Sequence, residues 1–78
     1  MSLTNIAVLK ADVDDAWWAY AHQLEHTLGW IAVADRRRGR PGEVLARNSA
    51  WFALTELSHA RRLWLEASAE LALALECQ

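Results

Sequence analysis

Apolar positions in the second half of the chain recur at helical spacing. One row holds only alanine at intervals of seven residues, and the row four residues further on holds mostly larger apolar side chains. The two rows are Ala46, Ala53, Ala60, Ala67 and Ala74, and Ala50, Leu57, Trp64 and Leu71. Paired apolar rows with a seven-residue repeat are typical of long helices that pack along a seam. The pattern predicts one helix over about 43–76.

The first half carries a comparable apolar stripe. Its rows are Ile6, Val13, Tyr20, Thr27 and Ala34, and beside them Trp17, Leu24 and Ile31. This stripe predicts a helix over about 5–38, which Thr4 or Asn5 would cap. Asp12 is a competing N-cap, so a separate short helix or a loose arm over 3–11 is the alternative.

The strong helix breakers, apart from Gly29, cluster at the midpoint of the chain in positions 39–42. The two predicted helices therefore form an antiparallel hairpin. Arginines at positions 36–38 would complement the C-terminal dipole of the first helix, and Gly39 would follow its end. At 1.5 Å per residue each helix would be about 50 Å long, so the sequence predicts a thin rod. The alanine row leaves a shallow groove that large residues of the first helix would fill, namely Trp17, Tyr20, Leu24 and Ile31.

Apolar residues extend beyond this seam, and three tryptophans lie outside the predicted rows. One partner helix cannot cover so wide a strip, and an exposed strip that contains tryptophan normally marks an interface. We therefore expect a homodimer of hairpins, a four-helix bundle of the kind seen in ROP-type proteins, and a contact with another protein. The alternative is a monomer with a scattered apolar surface. The predicted interface residues are Trp18, Trp30, Trp51, Leu54, Leu65 and Leu75.

Composition supports a single helical domain spanning residues 1–78. The chain is 54% apolar, with 15 alanines, 12 leucines and 5 tryptophans against 3 glycines and 1 proline, which excludes disorder and favours helix. The longest apolar run, residues 28–34, is far too short to cross a membrane. The lone Cys77 and the lack of a basic, apolar leader indicate a cytoplasmic protein. A net charge of −2 argues against a general nucleic-acid coat.

Two clusters of histidine and glutamate raise the possibility of metal binding. The stretch from His22 to His26 matches the H-x-x-E-H string of inverted zinc proteases, but the chain is too short to supply their third ligand and open cleft. Glu56 and His59 form a Glu-x-x-His step, and a turn near residue 40 brings Glu25 level with Glu56 and His22 level with His59.

These ligand types resemble those of ferritin-like di-iron bundles, and in particular the encapsulated ferritins. The resemblance implies an iron or manganese site completed by dimerisation, with Glu25, Glu56, His59 and His22 as ligands. The alternative is that these residues are ordinary polar side chains on the helix surfaces.

The predicted turn has a possible role of its own. Its Arg-Gly-Arg-Pro core, residues 38–41, resembles an AT-hook, which implies that Arg38 and Arg40 would enter the minor groove of A·T-rich DNA. Arginine followed by glycine and proline is also what a turn between two helices favours, so the motif has a purely structural explanation.

The sequence as a whole favours a small protein without catalytic residues. It contains no nucleophile elbow and no glycine-rich phosphate loop. We interpret it as a non-enzymatic interaction module of regulatory, adaptor or inhibitor type, without a cofactor, that self-associates and binds a partner protein through its tryptophan-rich and leucine-rich helix faces. Metal binding and minor-groove DNA contact are the two alternatives.

Overall fold

The chain forms an all-α antiparallel hairpin of two long helices. A computed structural model describes residues 3–77, with side-chain burial from Asn5 onwards, so Met1, Ser2 and Gln78 of the predicted domain lie outside the described residues. Helix α1 spans Leu3–Arg36 and helix α2 spans Glu43–Glu76. The hairpin measures 58 × 13 × 12 Å and its radius of gyration is 17.5 Å, against about 11.5 Å for a compact domain of this length. The predicted rod is confirmed.

Helix α1 is continuous, and its bounds differ slightly from the predicted 5–38. It begins at Leu3, ahead of the predicted caps Thr4 and Asn5, and it passes through Asp12 without a break. The alternative of a separate arm over 3–11 is therefore wrong, because the apolar stripe continues through this stretch at helical spacing. It ends at Arg36, two residues earlier than expected, since the amide of Arg38 already donates to the carbonyl of Asp35 in a tighter turn.

The two predicted rows of α2 are confirmed as its packing seam. Ala46, Ala50, Ala53 and Ala74 are buried, and the larger residues of the same rows, including Leu57, Trp64 and Leu71, are half-buried. Alanine has no side chain beyond its Cβ, so a row of alanines lets the backbone of α1 approach α2 closely. The buried core is consequently narrow, and it is made largely of small residues.

The seam of α1 has one row that the apolar pattern placed incorrectly. Ile6 and Thr27 of the first predicted row are buried. In the other predicted row, Trp17 packs its ring against Trp64 of α2, but Trp17, Leu24 and Ile31 stay 44%, 37% and 42% exposed. The second seam row consists instead of half-buried residues three positions after the first row, namely Leu9, Ala16, Gln23 and Trp30. A polar residue in this row, Gln23, concealed it from a pattern based on hydrophobicity.

A polar contact joins the helices at the buried Ala53, and we call it the Ala53 contact. The Gln23 amide nitrogen donates to the backbone carbonyl of Ala53 at 3.1 Å. The buried Thr27 hydroxyl lies 2.7 Å from the Gln23 carbonyl and 3.2 Å from the same Ala53 carbonyl. Among the described residues, no buried side-chain nitrogen or oxygen lacks a hydrogen-bond partner. This pairing offsets the cost of burying polar groups in the seam and fixes how far each helix slides along the other.

Three aromatic rings pack together further from the turn. The Trp17 and Trp64 ring centroids are 5.1 Å apart, and Tyr20 lies 5.9 Å from Trp17 and 5.8 Å from Trp64. These distances are in the range in which aromatic rings attract one another beyond the effect of burial alone. The cluster therefore holds the helices together in the half of the rod where the alanine row alone offers little contact area.

The turn is closed by hydrogen bonds within residues 37–43. The amide of Arg40 donates to the Arg37 carbonyl at 2.8 Å, and the amide of Glu43 donates to the Arg40 carbonyl at 3.2 Å. Gly39 and Gly42 have φ angles of 74° and 88°, a left-handed region that only glycine enters at little cost. The two glycines allow the chain to reverse within six residues.

Replacing Ala53 by leucine should separate the helices at a buried position of the seam. Ala53→Leu adds three carbons at a site that is 2% exposed and displaces the carbonyl of the Ala53 contact, so we expect a loss of roughly 1–3 kcal/mol. Ala69→Leu, at an exposed position of the same helix, should change stability by less than about 0.5 kcal/mol. Urea unfolding followed by circular dichroism at one fixed protein concentration measures both. Equal losses in the two variants would contradict the close packing of Ala53.

Two glycine-to-alanine substitutions should change stability in opposite directions. Gly42→Ala places a Cβ at φ 88° and 3.3 Å from the Arg37 guanidinium, so we expect a loss of about 1 kcal/mol. Gly29→Ala lies inside α1 with nothing within 4 Å of the new Cβ, so we expect a gain of about 0.5–1 kcal/mol. Thermal unfolding of both variants at matched concentration provides the comparison, and a stabilised Gly42→Ala would contradict the described turn.

Candidate functional site

One side of the hairpin exposes a series of large apolar side chains, which we call the Trp51 face. Near the turn, side chains of both helices line an open groove on this side. The surface continues along α2 because Leu65 follows Trp51 by two heptads and Leu75 follows Leu54 by three. On α1 the surface follows the row of Trp17, Leu24 and Ile31, which stays partly exposed beside the seam. The Trp51 face comprises Trp17, Leu24, Leu28, Ile31, Trp51, Leu54, Leu65 and Leu75.

Charges on the Trp51 face are concentrated at the turn end of its groove, where Asp35, Arg38, Glu43 and Arg47 form two ion pairs. On α2, Arg47 and Arg61 lie in the same row as Leu54 and Leu75, and Arg47 is paired with Glu43 at 3.0 Å. Trp51 is 66% exposed. Exposed large apolar side chains with polar groups at their margin are typical of a protein interface.

The opposite side of the hairpin has a second groove, which we call the Phe52 groove. Residues of both helices line it, and its walls mix apolar and polar side chains. The lining residues are Gln23, His26, Trp30, Leu45, Asn48, Ser49, Phe52, Ala53 and Glu56. Trp51 and Phe52 are neighbours in the sequence but line different grooves, because successive residues of a helix are about 100° apart. The hairpin therefore has two distinct surfaces with aromatic residues.

The predicted interface residues fall on different parts of these surfaces. Trp51, Leu54, Leu65 and Leu75 belong to the Trp51 face. Trp30 is half-buried, and its ring lies in the Phe52 groove, edge-on to His26 at 6.4 Å. Trp18 is 63% exposed and lies beside the His22 ring, outside both grooves.

The sequence analysis did not identify several exposed apolar residues of α2. Phe52 is 70% exposed, as is Leu45 one heptad before it, while Leu73 lies three heptads after it. Their seven-residue spacing is a signal that could have identified them, but they occupy a row that the stronger alanine pattern overshadowed. Leu63 is a further exposed residue of this kind.

The predicted metal ligands do not form a site within one hairpin. Glu56 lines the Phe52 groove with His26 rather than with Glu25 or His22. The Nδ1 atom of His59 accepts a hydrogen bond from Arg62 at 2.9 Å. Across residues 3–77, no group of three or more histidine, cysteine, aspartate or glutamate side chains is placed to hold a metal ion. The predicted pairing of Glu25 with Glu56 and of His22 with His59 therefore stays a prediction about levels along the rod, and it does not assemble a ligand group.

The Arg-Gly-Arg-Pro segment is folded rather than extended. Gly39 adopts a left-handed conformation, and its amide donates to the Glu43 carboxylate at 3.1 Å. Arg38 pairs with Asp35 at 3.2 Å, while Arg40 is exposed. An AT-hook enters the minor groove as a slim, extended chain, so this conformation does not present Arg38 and Arg40 in the way that the resemblance implies.

Charge is distributed unevenly along the rod. Residues 35–47, at the turn, hold five arginines against Asp35 and Glu43. The other end carries a negative excess, because Lys10 is the single cation in residues 5–15 and 64–77, where the acidic residues are Asp12, Asp14, Asp15, Glu66, Glu70 and Glu76. The turn is therefore the positive end of the rod, and the end with the chain termini is the negative end.

Comparison with protein-family models, with curated proteins and with solved structures gave no significant match. Within the described part of the chain, neither helix has a stretch that is both long and apolar enough to cross a membrane. The arguments about function therefore rest on the surfaces of the hairpin itself.

Substitution of Glu43 should reveal a pH-dependent contribution of the turn to the stability of the folded protein. The Gly39 amide, and then Arg47, hold the pKa of the Glu43 carboxyl below its usual 4.5, although desolvation opposes them. A lowered folded-state pKa adds stability above pH 4.5 that is lost as the pH falls through the lowered value. Glu43→Gln should thus be less stable than the parent protein at neutral pH, and the difference should shrink at about pH 3.

Urea unfolding at both pH values measures this difference, with Glu25→Gln as the control because Glu25 is exposed. We expect the control to match the parent protein within about 0.5 kcal/mol at neutral pH. A deficit of Glu43→Gln that stays the same at both pH values would show that the Glu43 charge does not stabilise the turn.

Proposed function

We propose that this protein is a non-enzymatic interaction module that self-associates through the Trp51 face. The observation that carries the proposal is the number of large apolar side chains that this face exposes, from Leu28 and Trp51 near the turn to Leu75 near the end of α2. Burying such a surface against a complementary one is strongly favourable, because the gain scales with the apolar area removed from water.

The total surface of the chain supports this proposal. One hairpin exposes 5872 Å², whereas a compact monomer of 8.8 kDa exposes about 4,800 Å². The excess of roughly 1,100 Å² arises because two helices in contact leave most of each circumference uncovered. A second layer of helices would cover one side of the hairpin, as in four-helix bundles.

The Phe52 groove is the surface that we assign to a partner protein. It lies on the side opposite the Trp51 face, so it stays accessible when the Trp51 face is covered. Exposed Phe52 and Leu45 supply apolar anchors, and Asn48 and Glu56 add polar groups beside them. An apolar centre with polar neighbours is common where proteins associate reversibly. Regulatory, adaptor and inhibitor roles all fit such a module.

Glutamate substitutions at two adjacent positions test the proposed interface. Trp51→Glu places a charge within the Trp51 face, where burial without a partner is costly, so we expect the association constant to fall by at least about 100-fold. Phe52→Glu is the matched control, because Phe52 is equally exposed and aromatic but lines the other groove. It should leave self-association within about threefold of the parent protein.

Sedimentation equilibrium over a range of concentrations measures both association constants, and circular dichroism verifies that each variant stays helical. A parent protein that remains monomeric throughout would contradict self-association. Equal weakening by the two substitutions would contradict the assignment of the interface to the Trp51 face.

A further inference from the structure

We infer that the occupant of the Trp51 face is a second copy of this chain in antiparallel orientation, with the turn of one hairpin beside the termini of the other. The inference rests on the proposed self-association and adds the orientation and the number of copies. A two-fold axis across the rod relates the two hairpins, and each contributes the same surface to a closed four-helix bundle.

The exposed surface area sets an upper bound on what a pair can bury. Two separate hairpins expose twice 5872 Å², whereas a compact dimer of the same total mass exposes about 7,900 Å². Pairing therefore removes at most about 3,800 Å² from water. Obligate homodimers typically bury about 2,000–5,000 Å², so the upper bound for one additional copy lies within the range of permanent dimers.

Charge along the rod determines the orientation. In an antiparallel pair, the net positive turn of one copy and the net negative end of the other lie at the same end of the pair, and Asp14, two heptads before Leu28, lies on the Trp51 face of that negative end. In a parallel pair, the two arginine-rich turns would lie together at one end and the two acidic ends at the other. Opposite charges in register favour one docking arrangement, and like charges in register disfavour the other.

The apolar part of the Trp51 face permits this antiparallel overlap. Its densest stretch, from Leu28 and Trp51 to Trp17 and Leu65, lies between the two charged ends. When one hairpin is reversed, the apolar stretch still faces its counterpart while the charged ends exchange places. Apolar contact in the middle and charge attraction at both ends therefore favour the same arrangement.

Salt provides the first test, because it should lower the association constant of an antiparallel pair and raise that of a parallel pair. Raising the ionic strength from about 0.01 M to about 0.15 M shortens the Debye length from roughly 30 to 8 Å. Screening weakens attraction between unlike ends, so the association constant of an antiparallel pair should fall by about threefold or more. An association constant that stays constant or rises with salt overturns the inference.

Cys77 provides the second test, because this exposed thiol marks the end of the rod opposite the turn. A nitroxide attached to Cys77 of the full chain allows the distance between two labels to be measured by pulsed electron spin resonance. The antiparallel pair separates the labels by nearly the 58 Å length of the rod, so we expect more than about 40 Å. A parallel pair brings them within the width of a bundle, about 20–25 Å.

Sedimentation measures the mass of the labelled sample and thereby distinguishes a wrong orientation from a wrong number of copies. Two chains with a long label distance support the inference. Two chains with a distance below about 40 Å overturn the antiparallel orientation but leave the proposed self-association intact. A mass above two chains overturns the closed pair, and a single chain at every concentration overturns the second copy and the proposed self-association together.

Discussion

Close approach of the two helices at Ala53 is the constraint on which the rest of this structure depends. Alanine on α2 allows that approach, and the Ala53 contact fixes the register by hydrogen bonds from Gln23 and Thr27. The seam between the helices is therefore narrow, because small residues fill little volume. The large side chains that would fill the core of a wider protein therefore remain beside the seam, and they form the Trp51 face.

The register set at Ala53 also separates the two surfaces. Once the seam is fixed, each residue of α2 has a definite direction, so Trp51 lines one groove and Phe52 lines the other. Both surfaces result from the same packing of small residues, and neither depends on a loop. A rigid pair of helices holds apolar anchors at fixed spacing along a rod, which suits recognition of other helices.

Periodicity was sufficient to predict the helices, the turn and the seam of α2, because seven-residue spacing directly reports which residues share a face. Periodicity failed for part of the seam of α1. Gln23 takes the place of an apolar residue there, and Trp17 and Leu24 lie at the exposed edge of the seam. Helical rise and the position of the turn gave a predicted level for Glu25 and Glu56, but spacing alone does not place their side chains on one side of the rod. The direction of each side chain was not predictable, because it depends on the packing angle that the alanine row allows.

The aromatic cluster gives the hairpin an internal optical reporter. Trp17 on α1 and Trp64 on α2 have ring centroids 5.1 Å apart, close enough for the electronic transitions of the two indoles to mix. Such mixing produces a paired band in the ultraviolet circular dichroism spectrum that neither indole shows alone. Since the two rings belong to different helices, the band reports tertiary closure of the hairpin separately from its helix content, without any added probe.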